Sequence, residues 1–212
     1  MRKLFSLFFF LFAIQISLSQ NEFRFLKNLE QDGNKITIIV NDGKYLIKYY
    51  SSQIVETTFI PQNQNFIDAS HAVVLQPKKV DLVLHTSENR TVAISDGISL
   101  DITHKPFQIS YSDKENNEIT SEKRGYFKSK HIPLENVKGN IVYDETEKIE
   151  FNLIDDEILF GGGARALGMN RRGYRLPLYN RAHYGYETHS ELMNFSIPLV
   201  ISSKKYMIHF DN

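Results

Sequence analysis

The chain has 212 residues, enough for one sizeable domain with its own core. Its 25 lysines and arginines are balanced by 25 aspartates and glutamates, so it lacks the basic excess that phosphate recognition demands, and no nucleic-acid partner is expected. It has no cysteine, which excludes disulfides, thiolate nucleophiles and thiolate metal sites, and it has no tryptophan.

In chain order, Arg2 and Lys3 precede an apolar run from Leu4 to Leu18, and Ser17-Leu18-Ser19 offers small residues for a signal peptidase. Gln15, Ser17 and Ser19 interrupt the run too early for a membrane span. Residues 1–19 therefore read as a cleaved signal peptide, with a retained anchor as the lesser alternative. The mature chain, 20–212, is expected to be secreted or periplasmic.

Beyond the signal, apolar residues recur with period two. Candidate strands are Lys35–Val40, Tyr45–Tyr50, Ile54–Ile60, Ala72–Leu75, Val80–Thr86, Thr91–Ser95, Ile98–Thr103, Phe107–Tyr111, Lys148–Leu153, Phe195–Ser202 and Tyr206–Asp211. Turns at Asp32-Gly33-Asn34, Asn41-Asp42-Gly43 and Ser95-Asp96-Gly97 separate several of them. No stretch carries an uninterrupted helical stripe, so the expected class is all-β, a large sandwich. The polar segment Ser112 to Val142 reads as a hairpin excursion or an exposed loop.

The last third holds the candidate chemistry. Gly161, Gly163 and Ala166 fit a dinucleotide-binding glycine pattern, but Gly168, Gly173 and Pro177 forbid the helix that such a site requires. The glycines suit a close-packed strand exit instead. His183, Glu187, His189 and Glu191 form no fixed metal-ligand pattern, and Asp155-Asp156-Glu157 reads as a charged turn rather than a calcium loop. No metal or cofactor is expected, and no nucleophile elbow or distinctive carboxylate pair signals catalysis within these residues. Arg171 and Arg172, beside a glycine turn, are expected to hold structure. Asn180, Arg181, His183 and Tyr184 either contact sugar hydroxyls and C–H faces or pair within the protein.

These residues carry a resemblance. Phe160-Gly161-Gly162-Gly163, Asn170-Arg171-Arg172-Gly173, Leu178-Tyr179-Asn180, Ser196-Ile197-Pro198 and Tyr206 through Asn212 resemble, in order, the end of the N-terminal β-sandwich domain of glycoside hydrolase family 31, the family of α-glucosidases, α-xylosidases and α-transglucosylases. The resemblance implies a galactose-mutarotase-like supersandwich lacking its partner (β/α)8 barrel. It also implies retaining chemistry by two aspartates on that barrel. The nucleophile motif of the family resembles Trp-x-Asp-Met-Asn-Glu, which a chain without tryptophan does not hold. A barrel would also need about 250 further residues.

Two departures stand out: Ala164 replaces the glutamate of the usual glycine turn, and Ala182 replaces an aspartate of the usual Leu-Trp-Asn-x-Asp loop. The expected role is a domain truncated before its catalytic barrel, non-catalytic alone, that braces the barrel and lines the entrance for an α-linked oligosaccharide through Asn180–Tyr184. The abrupt stop after Phe210-Asp211-Asn212 is in keeping with a fragment. The alternatives are a free-standing secreted carbohydrate-binding module and, by fold analogy alone, a sugar mutarotase.

Overall fold

The computed structural model describes residues 23–131, 144–180, 185 and 193–211. Among them lie thirteen strands and no helix. They are β1 (Leu26–Asp32), β2 (Lys35–Val40), β3 (Gly43–Ser51), β4 (Ile54–Pro61), β5 (Val83–Thr86), β6 (Arg90–Ile94), β7 (Ser99–His104), β8 (Phe107–Ser112), β9 (Glu118–His131), β10 (Asp144–Phe151), β11 (Leu159–Gly161), β12 (Leu199–Ser202) and β13 (Met207–His209). They form three sheets, ordered β1-β2-β3-β4, β10-β9-β8-β7-β6-β5 and β11-β12-β13, with every neighbouring pair antiparallel.

The first two sheets face each other across one core. In β2 the alternation puts Ile36, Ile38 and Val40 inward, and in β3 it does the same for Tyr45, Ile47 and Tyr49. Ala93, Leu100, Ile102, Phe107 and Ile109 meet them from the second sheet. Each fully buried Ile or Leu of this set contributes roughly 1.5–3 kcal/mol of transfer free energy. Two tyrosines tie the sheets by their polar ends: Tyr49 OH donates to the Ile98 carbonyl (3.1 Å), and Tyr111 OH meets Thr57 Oγ1 at 3.0 Å.

One part of this interior is charged. The Arg24 side chain is buried; its Nε and Nη2 donate to Asp42, Nη1 to Tyr45 OH (2.8 Å) and Nη2 also to the Tyr126 carbonyl (2.7 Å). The guanidinium lies 4.3 Å from the centre of the Phe59 ring. Glu122, wholly buried, shares this space, and burial pushes its carboxyl up to about 7, with Arg24 pulling the other way. Gly125, at φ +63°, makes room: a Cβ there would lie 2.7 Å from Tyr45 OH and 2.9 Å from Glu122 Oε2. The β9–β10 register shifts at this place, where Glu150 faces Gly125 but Phe151 faces Glu122.

Several expectations need correction. Ala72–Leu75 is not a strand; it lies in an irregular stretch with Val74 87% exposed, because its apolar residues find no sheet to cover. Of the two readings of the polar 112–142 region the hairpin holds, since β9, the longest strand, pairs antiparallel with β10, and the buried residues Thr120, Ser121 and Glu122 of β9 are themselves polar. β1 is a strand beyond the expected set, β10 begins before Lys148, and β12 occupies only the end of Phe195–Ser202. No helix among the described residues is long and apolar enough to cross a membrane.

Candidate functional site

The glycine run leaves β11 alongside the chain that enters β12. Gly161, Gly162 and Gly163 all have positive φ, at 109°, 75° and 84°. A Cβ on Gly161 would run into the Leu199 carbonyl oxygen, and one on Gly163 into the Phe195 carbonyl. This close approach is what allows Gly162 N–H to donate to the Leu199 carbonyl (2.9 Å) and Ala164 N–H to the Phe195 carbonyl (2.8 Å).

The arginines of the following loop aim at backbone oxygens. Arg172 Nη1 donates to the carbonyls of Ile154 (2.6 Å), Asp155 (2.9 Å) and Glu157 (3.0 Å). Arg171 donates through Nη1 to the Gly168 carbonyl (2.8 Å) and through Nε to the Gly161 carbonyl (3.3 Å). Asn170 Oδ1 accepts from the backbone N–H groups of Leu159 and Arg172, closing the turn. Arg165 Nη2 donates to the Pro177 carbonyl at 2.6 Å and its Nη1 to the Ala164 carbonyl at 3.3 Å. Three arginines thus stitch residues 154–177 with hydrogen bonds to main-chain carbonyls.

Glu157 anchors this loop to the sheet. It is 2% exposed, so it is no part of a solvated turn; of Asp155-Asp156-Glu157 only the two aspartates face water. Its Oε1 accepts from Ser202 Oγ and from Tyr206 OH, both at 2.5 Å, and Oε2 accepts from Ile154 N–H at 3.0 Å. Burial works to raise this carboxyl, but the hydrogen bonds from Ser202 and Tyr206 outweigh it and hold it below the ordinary glutamate range. Tyr206 is correspondingly raised to about 12, first by burial and then by donating to Glu157.

Of the expected entrance residues, Asn180 is in view. Its Oδ1 accepts from Ser196 N–H (2.8 Å) and Ser196 Oγ (2.7 Å), so it staples the loop to the segment before β12. Leu178, Tyr179 and Phe195 around this staple are 54%, 65% and 56% exposed, an apolar face with polar edges. Arg181, His183 and Tyr184 lie outside the described residues, as do Glu187, His189 and Glu191. Among the described residues no group of three or more His, Asp and Glu side chains converges as a metal site would require.

Two residues central to this region, Glu157 and Arg165, were hidden in the sequence. A charged side chain reads as hydrated, and the one hint is position: each lies within four residues of a run of glycines that must pack closely.

Comparison with known proteins agrees with this arrangement. The family model described as "Glycosyl hydrolase 31 N-terminal galactose mutarotase-like domain" matches residues 44–212. A relative named alpha-glucosidase 2, from Bacillus thermoamyloliquefaciens, is 23% identical over 180 residues, which is 80% of this chain and 21% of that protein. A family 31 dextranase of Flavobacterium johnsoniae, solved in complex with isomaltotriose, superposes with a TM-score of 0.71 at 23% identity, over 90% of this chain and 22% of its own. The cycloalternan-forming enzyme of Listeria monocytogenes, solved with a pentasaccharide substrate, gives a TM-score of 0.66 at 16% identity, over 88% and 17% of the two chains. This chain therefore spans about a fifth of the length of the proteins it matches. With its facing antiparallel sheets and its glycine-arginine loop, the chain belongs to the N-terminal galactose mutarotase-like domains of glycoside hydrolase family 31.

Proposed function

We propose that this chain is the N-terminal domain of a secreted or periplasmic retaining α-glycosidase, acting by hydrolysis or transfer at α-O-glycosidic bonds. Residues 1–19 would direct export, and residues 20–212 would brace a catalytic (β/α)8 barrel carried by the same polypeptide. The chemistry belongs to that barrel: in the retaining scheme one carboxylate attacks the anomeric carbon while a second protonates the departing oxygen and later activates water. The domain's part is positional. Loop 160–180 sets one side of the entrance, with Asn180 fixing its end against Ser196 and residues through Tyr184 reaching an α-linked oligosaccharide.

The observation that carries this reading is the exposed face of Leu178, Tyr179 and Phe195, held rigidly by the Asn180–Ser196 staple and by arginine hydrogen bonds to the backbone. Apolar exposure on a stiff scaffold suits a surface made to be covered. The likeness to an alpha-glucosidase and to a dextranase solved with isomaltotriose bears on the substrate class.

The test uses the full-length polypeptide and α-linked gluco-oligosaccharides of increasing length. Asn180→Ala is expected to raise KM several-fold for trisaccharides and longer, with kcat within twofold. Unchanged KM would remove the entrance role. Glycoside cleavage by residues 20–212 alone, persisting after host glycosidases are removed, would place the chemistry in this domain and overturn the reading. Millimolar-range oligosaccharide binding by a chain without a barrel would favour the free-standing binding module instead.

A further inference from the structure

Arg165 is 7% exposed, and none of the ion pairs among the described residues includes it. Its Nε has no hydrogen-bond partner, and its other two nitrogens reach only neutral carbonyls, those of Ala164 and Pro177. Burial and the neighbouring Arg171 charge both push this guanidinium below its ordinary value. An arginine nonetheless stays protonated in proteins, so the positive charge persists with no counter-ion among the described residues. A buried unbalanced charge is normally paired, because desolvation costs several kcal/mol per ion.

Neither Glu157 nor Asp156 serves. Glu157 is committed to Ser202, Tyr206 and Ile154, and Asp156 pairs with Lys204 at 2.9 Å. Arg171, Arg172 and Arg175 likewise have no ion pair among the described residues. Arg165 adjoins the exposed Leu178, Tyr179 and Phe195, since it bonds the Pro177 carbonyl and Ala164 bonds the Phe195 carbonyl. A buried arginine beside exposed apolar side chains is a composition that interface anchors share.

We propose that Arg165, seconded by Arg171, receives a carboxylate side chain from the catalytic domain that packs over Leu178, Tyr179 and Phe195. This rests on the bracing role argued above and names the contact that fixes it. The carboxylate pairs with the exposed edge of the guanidinium, and its charge offsets both arginines in a site that docking closes to water. Such an anchor couples the domains in one register, because a guanidinium pairs with a carboxylate in a planar, directional manner.

The experiment is done on the full-length enzyme. Arg165→Lys places an amine at this position, and carbodiimide then joins it covalently to whichever carboxylate lies against it; peptide mapping identifies the acid. Hydroxyl-radical footprinting of Tyr179 and Phe195, referenced to the same enzyme in concentrated urea, reports docking separately. Protection of both rings with a link to a catalytic-domain Asp or Glu is the expected result. Protection with a link to Glu187 or Glu191, or with none, overturns the carboxylate anchor and leaves the bracing role standing. Unprotected rings overturn both. Arg165→Met, which removes charge but keeps bulk, is expected to lower the full-length thermal midpoint by about 4 °C; an unchanged or higher midpoint also overturns the anchor.

Discussion

Leu100, Ile102 and Ile109 in the facing sheets have no accessible surface, whereas in the last sheet Ile201 and Met207 lie open to solvent. The two regions hold their shape by different means. The sandwich is organised by side-chain burial, with alternation in β2, β3, β7 and β8 deciding which face is inside. The unit from Ile154 to Phe210 has short strands and, among its described residues, few buried apolar groups. It is held by polar side chains that grip main chain: Arg171, Arg172, Arg165, Asn170, Asn180 and Glu157. Burial gives stability that is indifferent to direction, while hydrogen bonds to carbonyls give direction with less stability. A region that must present a fixed surface to something else is better served by the second.

Substitutions can sharpen that contrast, and the largest effect belongs to the core. Ile102→Ala should lower unfolding free energy by about 4 kcal/mol, read by urea denaturation, because a fully packed site leaves a cavity. Next comes Glu122, whose folded carboxyl titrates near 7 against an ordinary value of 4.5, through burial opposed by Arg24. The folded state keeps a proton there that the unfolded chain has already lost. Stability should therefore fall as pH rises from 4.5 to 7, by roughly 3 kcal/mol at most. Glu122→Gln should flatten that slope and stabilise the protein at pH 8; a slope unchanged by the substitution contradicts the assignment.

Smaller effects are expected in the hydrogen-bonded unit. Glu157→Gln should cost about 2 kcal/mol, since an amide cannot accept as a carboxylate does from Ser202 and Tyr206. Its pH dependence has the opposite sign to that of Glu122: the folded carboxyl lies below its ordinary value, so its contribution is present above 4.5 and is lost as pH falls through the folded value. Asn180→Ala should remove about 1 kcal/mol locally. Amide exchange at Ser196 should quicken while exchange at Ile102 stays as it was; parallel acceleration at both would erase the distinction between the regions.

The same contrast explains what the sequence made legible. β2 was readable to the residue, because Ile36, Ile38 and Val40 alternate with outward positions. β9 was not, since Thr120, Ser121 and Glu122 are buried although polar: Thr120 and Ser121 bond to Asn152 far along the chain, and Glu122 lies in the field of Arg24. Val74 and Leu75 misled in the opposite direction, being apolar but exposed. In the candidate site, the glycines and the Asn-Arg-Arg-Gly turn were visible as motifs. The burial of Glu157 and Arg165 was not, because nothing local in a sequence distinguishes a charge that meets water from one that meets main chain.

The order of strands within the sheets also bears on how the molecule assembles. In β1-β2-β3-β4 and β10-β9-β8-β7-β6-β5 every neighbour in space is a neighbour in sequence, so both grow by closing successive hairpins. β11 and β12 instead join Leu159 to Ser202 and Gly161 to Val200 across a long intervening loop. Closure of such a loop carries a larger entropic cost and rewards the chain only once the glycine run has met Leu199 and Phe195. Pulse-labelled refolding should accordingly protect the Ile102 amide before that of Val200, and simultaneous protection would count against this sequence of events.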